Sequence, residues 1–574
     1  MIEAPLVFLL VILLGWPLGH YLAAVMRGGP LRGDALFARI ERPIYRLLGT
    51  EPTRGMALRD YVFAFLASNL VLGALVWAIF MTQAWLPLNP NGAPNMSWDL
   101  ALHTMVSFLT NTNQQHYAGQ AQLSHLAQMS GIVGLQMITP MMGLALVVAT
   151  LRGLFGGRAE LGHRAAAERS DEDGATGLDL GNYWADLTRA TLRFMLPLCL
   201  VWTVLLVGQG VPATLQGGPV VAPIDATAQM KEQKIPLGPV APMVAIKQLG
   251  TNGGGWYGPN SAMPLENPTP FSNLLQTLAL ILVPVAVGFM VGPFTGRPRF
   301  AALVLGCMLV MSVASTGLAL WSEGHSASAA SAALMEGKEV RFGADPSALW
   351  AALTTQSSNG SVNAMHDSLA PLTGLVTMSN MLINAIWGGI GCGLQQFIVY
   401  LLLAVFLAGL MTGRTPELFG RKIEAREVKL LAVLVLLQPL VVLGFSAVAL
   451  AVPALTGNSN PGFHGISQVF YEYVSAFANN GSGFEGLGDA TVWWNVSCSL
   501  VLALGRYPSL VLPLLIAAQL AGKRRAPESS GSLQVETPTF GLTLIGVIVI
   551  LTLLQFMPAL VLGPVAEHLT LAAH

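Results

Sequence analysis

Charge is what this 574-residue chain lacks. Only 10% of its residues are Asp, Glu, Lys or Arg, against roughly 25% in soluble domains. That deficit, beside 53% hydrophobic residues, excludes an ordinary soluble enzyme and points to a chain that crosses a membrane repeatedly. A net charge of −1 without any Lys/Arg block gives no footing for nucleic acid. Cysteine is equally scarce. Cys199, Cys307, Cys392 and Cys498 all fall inside apolar runs, so they read as small buried hydrophobes, not as a disulfide or zinc framework. There is no GxxxxGK[ST] nucleotide loop, no DKTG phosphorylation motif and no soluble stretch large enough to house one. The chain is not expected to hydrolyse ATP alone.

What is present is a series of apolar runs of about 20 residues, long enough to cross about 30 Å of hydrocarbon. They begin near residues 5, 61, 131, 190, 271, 299, 428, 493 and 540. The first lacks the basic n-region of a signal peptide and reads as a retained span. A further run over about 371–412, too long for one straight helix, is interrupted by "WGGIGCGL" and reads as a tenth, broken span. Of the 29 Lys and Arg residues, 24 lie in 27–59, 152–193, 297–299, 414–429 and 506–525. The other five, Lys231, Lys234, Lys247, Lys338 and Arg341, fall in the alternate loops. The positive-inside rule places the first set in the cytoplasm and both termini outside.

Four outer loops share one design: a semi-apolar stretch too short to span, then a polar knot. They are "LALHTMVSFLTNTNQQ", "VAPMVAIKQLGTNGGG", "LWAALTTQSSNGS" and "ISQVFYEYVSAFANNGSG". Any one knot reads more readily as an ordinary turn, since Asn, Gly, Ser and Thr are turn residues. Four, each following a half-helix on the outer side, argue for a common purpose. Bare backbone at membrane depth survives only in protein or beside a watery cavity, and four such segments satisfy that rule jointly by meeting at one axis. Each half-helix then brings its carbonyl end, about −0.5 charge, to that axis. The knots offer carbonyls and Thr/Ser hydroxyls, oxygens that replace a cation's water shell.

The stretches "TNTNQQHY", "GTNGGGWYGPNSAMPLENPTPFSN", "TTQSSNGSVNAMHDSLAPLTG", "ANNGSGFEGL" and "AGLMTGRTPELFGRKIEAREVK" closely resemble the family of potassium-binding A subunits of the Kdp potassium-transporting ATPase. The resemblance runs from end to end. It implies an all-α membrane protein of ten transmembrane helices, with four membrane–pore–membrane repeats around a central pore, the fold of the superfamily of potassium transporters. On this reading an extra span occupies 1–30, the repeats 60–152, 186–293, 298–413 and 427–523, and a last span 538–564.

The family's potassium filter falls on Asn111, Thr112, Asn113 and Gln115, on Thr251, Asn252 and Gly253, on Ser358, Asn359 and Gly360, and on Asn479, Asn480 and Gly481. Two departures are visible: Gln114 stands where the family usually has an aromatic residue, and Asn359 where it often has cysteine. The first knot also lacks glycine, so Asn111 or Asn113 must take any left-handed position there.

Gly388, Gly389, Gly391 and Gly393 resemble the family's gating region, against the plainer reading of a close helix crossing. Arg506, inside an apolar run, reads as a functional cation below the filter or as a snorkelling side chain. His366 and Asp367 read as a hydrogen-bonded pair in preference to a proton relay. The resemblance further implies potassium as the transported ion and the bacterial inner membrane as location. Its partners would be the other members of the Kdp complex: the P-type ATPase (B), the smaller stabilising protein (C) and the tiny protein (F). The alternative is a stand-alone Trk/Ktr-like channel or symporter.

Overall fold

The computed structural model describes residues 2–29, 31, 33–156, 179–225, 230–325, 332–527 and 533–572. Much of the basic loop 152–189, namely 157–178, lies outside the described residues. Among the described residues ten helices are long and apolar enough to cross a membrane. They are Glu3–Arg27, Leu58–Trp85, Ala127–Phe155, Tyr183–Gly208, Pro270–Thr295, Pro298–His325, Cys392–Met411, Ala425–Ala451, Val492–Ala521 and Pro538–Ala572. The chain is a multi-pass, all-α membrane protein; the strands described are two pairs of two residues each.

Four short helices lie between long ones: Trp98–Leu109, Val240–Leu249, Ala344–Gln356 and Gly462–Phe477. Each ends directly in one of the polar knots. The order of long helix, half-helix, knot and long helix therefore occurs three times, and once more with the last helix broken into Pro371–Ile383 and Cys392–Met411; Glu3–Arg27 and Pro538–Ala572 lie outside the pattern. Helix starts are written locally. Asn182, Thr269, Thr491 and Thr537 each accept a backbone N–H of the first turn, satisfying donors that a helix start leaves open. The break in the tenth span runs from Ile383 to Cys392. Asn384, Gly388 and Gly391 take positive φ there, which no helix can continue.

Pro270–Thr295 is the most enclosed long helix, with 89% of its apolar window buried, whereas Pro538–Ala572 has 28%. The outer helices expose leucines such as Leu436, Leu440, Leu542 and Leu554, as expected where the surrounding solvent is hydrocarbon. Glu3–Arg27 crosses the central helix through Gly15 and Gly19: a Cβ on Gly15 would lie 3.0 Å from Val285. Small residues at that spacing let two backbones approach closely. Charge fastens the basic side. Arg152 forks onto Asp186 (2.5 and 2.9 Å) and donates to the Met26 carbonyl, while Tyr61 donates to the same carboxylate. Arg193 likewise joins Asp34 and Glu41 at 2.5–2.8 Å.

Candidate ion site

Each knot repeats one backbone figure. The first residue is left-handed: Asn111 (φ 62°), Thr251 (51°), Ser358 (49°) and Asn479 (53°). The third is left-handed again: Asn113 (59°), Gly253 (81°), Gly360 (85°) and Gly481 (102°). The residue between is not. In the glycine-free first knot, then, both asparagines take the strained conformation. A non-glycine residue there costs roughly 1–2 kcal/mol, and such outliers persist where the surroundings over-determine them and cluster at functional sites. The surroundings are present. Thr251 Oγ1 accepts the Ile390 N–H at 3.1 Å, and Ser358 Oγ donates to Asn384 at 2.6 Å.

The four knots close on one another. A Cβ added to Gly253 would collide with the Asn359 carbonyl oxygen, one on Gly360 with that of Asn480, and one on Gly481 with that of Thr112. Gly254 faces Asn113 and completes the circuit. The knot side chains reach sideways. Asn359 Nδ2 donates to the Lys247 and Gln248 carbonyls (both 3.1 Å), and Asn480 Nδ2 to the Thr354 carbonyl (2.9 Å). Asn252 donates to Asn111 and to the Gln136 carbonyl, and Asn479 to Thr112 Oγ1 at 3.0 Å.

These bonds alter the expected ligand set. The hydroxyls of Thr112, Thr251 and Ser358 are engaged within the protein. The carbonyls of Thr112, Asn252, Asn359 and Asn480 accept no hydrogen bond among the described residues. The Gly253 carbonyl, by contrast, accepts from Asn260 Nδ2 at 2.7 Å. The knots are buried and braced, not floppy. Gln115 stands outside this circuit and pins the first loop to the second through both polar groups of Gly255 (2.9 and 3.0 Å).

The broken segment lies against the knots. Trp387 and Gly388 donate backbone N–H groups to the Gln356 carbonyl at the end of the third half-helix (3.1 and 2.8 Å). Asn384 donates to the Ala478 carbonyl at the end of the fourth. Gly389 faces Thr251 and Ser358, and side chains on Gly391 or Gly393 would strike the backbone of Gly143 or Trp387. Gly388, Gly389 and Gly391 thus lie in a tight loop between half-helix ends, Gly391 against the backbone of the long helix Ala127–Phe155, while Gly393 opens the helix that follows. Arg506 is 3% exposed, which excludes snorkelling. It donates to Cys392 Sγ (2.7 Å) and the Thr139 carbonyl (3.3 Å), and no carboxylate pairs with it among the described residues.

His366 and Asp367 do not pair with each other. His366 Nδ1 meets the Tyr471 hydroxyl at 3.0 Å, and Asp367 faces His464 and Gln468 at 3.0 and 2.9 Å. The two side chains point to different neighbours. Burial pushes His366 down to about 4, which favours the neutral imidazole at pH 7.

Sequence reading missed the supports behind the ring. Lys247, counted there among outer basic residues, is fully buried in a pair with Glu266 and donates to Asn260 Oδ1 at 2.6 Å. Asn260 in turn holds Gly253. A lysine inside an apolar stretch was the available signal, because such a charge needs a partner. Burial draws its ammonium down, opposed by Glu266.

The family model for the potassium-transporting ATPase A subunit matches residues 5–569. The potassium-transporting ATPase potassium-binding subunit of Gloeobacter violaceus is 46% identical over 563 residues, 96% of this chain and 94% of the relative. Those of Pseudomonas putida and Alicyclobacillus acidocaldarius are each 44% identical over 575 residues, covering 99% of this chain and 98% of theirs. Among solved structures, the potassium transporter TrkH from Vibrio parahaemolyticus is similar at 14% identity and a TM-score of 0.49, over 88% of this chain and 97% of that one.

Proposed function

This chain belongs to the family of potassium-transporting ATPase A subunits, and on that premise we propose that it is the potassium-binding and translocating subunit of an ATP-driven, high-affinity uptake complex. The observation that carries this reading is the circuit of four knots, whose second residues leave their carbonyls without hydrogen bonds while their side chains brace the neighbouring unit. A potassium ion exchanges its water for such oxygens. The carbonyl ends of four half-helices add a favourable field. Asn111, Thr112 and Asn113, with their counterparts in the other three knots, form the filter. Gln115 and Asn260 hold it from behind.

The ion enters from the periplasm of a bacterial inner membrane, with both termini on that side and the basic loops in the cytoplasm. The 384–391 loop gates the inner end, and Arg506 places a fixed positive charge beside it. The ion passes to the P-type ATPase of the complex, which the stabilising and the tiny Kdp proteins complete. No observation favours a stand-alone channel or symporter. Potassium uptake by cells deficient in it, expressing this chain with and without the ATPase partner, tests the division of labour. Uptake is expected only with both, and the purified chain is expected to show no potassium-stimulated ATP hydrolysis. Robust uptake by the chain alone would overturn the proposal.

A further inference from the structure

Behind the first knot, where the loop that follows it meets the fourth half-helix, lies a polar cluster that ion conduction through the knots does not use. His116 Nε2 stands 3.2 Å from Glu472 Oε1 and 3.9 Å from Asp489 Oδ2. One ligand atom from each of His116, Glu472 and Cys498 falls within 4.8 Å of the others, and all three residues are buried. They come from three places: the loop after the first knot, the fourth half-helix and the long helix Val492–Ala521.

Second contacts orient both the imidazole and the carboxylate. His116 Nδ1 meets Asn495 Oδ1 at 2.8 Å, and the Asn495 amide is fixed because its Nδ2 donates to Asp99 at 2.9 Å. His116 Nδ1 is therefore the donor, and Nε2 turns toward Glu472. On the other side Gln114 Nε2 donates to the same Glu472 oxygen, and Gln114 Oε1 accepts from His103 Nε2 (3.3 Å). With Nδ1 committed to Asn495, Nε2 is the ring atom left facing the Glu472 oxygen, and the Cys498 sulfur lies within 4.8 Å of both.

We infer that His116, Glu472 and Cys498 form a site for a divalent cation of the zinc class, with Asp489 in reach as a fourth ligand. Nitrogen, sulfur and carboxylate oxygen are the donors such an ion takes, at about 2.0–2.3 Å in a tetrahedral arrangement. Two ligand atoms at about 2.0 Å stand roughly 3.3 Å apart in a tetrahedron, close to the 3.2 Å between His116 and Glu472. The sulfur closes the remaining distance on binding. The backing of His116 by Asn495 and Asp99 is the carboxylate-linked support that metal-bound histidines use. Asp489, whose side chain is 31% exposed, supplies the access route from the outer side. Bound there, the ion would fasten the first unit to the fourth, the seam at which the circuit of knots joins the chain's most distant halves.

Cobalt(II) is the probe. Purified full-length chain, stripped with chelator and titrated with Co2+ in detergent, is expected to bind one ion. It should show tetrahedral visible bands and a thiolate-to-cobalt band in the near ultraviolet, both abolished by added Zn2+. Cys498→Ser should lose the thiolate band, while Cys199→Ser and Cys307→Ser keep it. Asn495→Leu should weaken binding by about 10–100-fold, the usual effect of removing such a support. Absence of stoichiometric cobalt binding by the unmodified chain would overturn the inference without recourse to any variant. So would a thiolate band that persists in Cys498→Ser.

Discussion

The Asn359 carbonyl oxygen fills the space that a side chain on Gly253 would need. Asn359 belongs to the third knot and Gly253 to the second, so one residue's lack of a Cβ sets the position of another's oxygen. Gly360 stands in the same relation to Asn480, and Gly481 to Thr112. A displacement at one knot therefore passes to the next through contact, with the asparagine side chains as ties.

Gly253→Asp is accordingly expected to damage ion binding and not folding. Its side chain must displace the Asn359 carbonyl, and its positive φ becomes strained. Losing one well-placed oxygen costs about 1.5–3 kcal/mol, the scale of a hydrogen bond to a charged group. That is about 10–150-fold in affinity. Potassium half-saturation should rise by that factor, and discrimination against other alkali cations should relax. Gly258→Asp is the control, because Gly258 is exposed and a Cβ there would meet Ala118 at 3.3 Å. Cation-dependent ATPase activity of the complex at matched expression measures both. Equal damage from the two substitutions would remove the filter from this loop.

The half-helices, the knots and the break at "WGGIGCGL" were legible because each is local: a short apolar run, a cluster of turn residues, a row of glycines. A left-handed asparagine in the first knot followed from the same local rule, since asparagine is the next residue after glycine to accept that conformation; that Asn111 and Asn113 both adopt it did not. The bracing was not legible. Asn252 meets Gln136, and Asn359 meets Lys247, across 116 and 112 residues of sequence, and nothing in composition fixes such pairs. Adjacency also misled. His366 and Asp367 are chain neighbours whose partners, Tyr471 and His464, come from the fourth half-helix.

Topology is open to direct test. Since the basic residues cluster in alternate loops, reporter fusions near residue 420 should be active as cytoplasmic fusions and those near residue 220 as periplasmic ones. The reverse pattern would turn the knots toward the cytoplasm and remove uptake from the periplasm as a function.

His464 supplies a pH dependence. Burial works against its charge, but hydrogen bonds to Asp367 (3.0 Å) and Glu567 (2.8 Å) prevail and raise it to about 9. A histidine raised in the folded state contributes stability fully below its unfolded value of about 6.5, and loses it as pH rises through the folded value. The melting temperature of the full chain in detergent should therefore fall between pH 7 and pH 10. His464→Asn should start lower at pH 7 and fall less over that range. Parallel curves for the two proteins would exclude the His464 contacts as the cause.

Arg506 carries the last prediction. Its charge is buried without a carboxylate partner among the described residues, against Cys392 at the end of the 384–391 loop. Removing an uncompensated buried charge and replacing it with an apolar side chain of similar volume is often neutral or stabilising. Arg506→Met is thus expected to fold with an unchanged or higher melting temperature. Its effect on ions should be large. At an effective dielectric near 20, two like unit charges even about 8 Å apart repel by about 2 kcal/mol, a factor of roughly 30 in occupancy. Passive, ATP-independent rubidium flux through the chain in liposomes should rise by about that factor, because the barrier beside the 384–391 loop is gone. Arg506→Lys, which keeps the charge, should leave the flux low. A collapse in melting temperature without any change in flux would assign Arg506 to structure and leave the gate to the glycine loop alone.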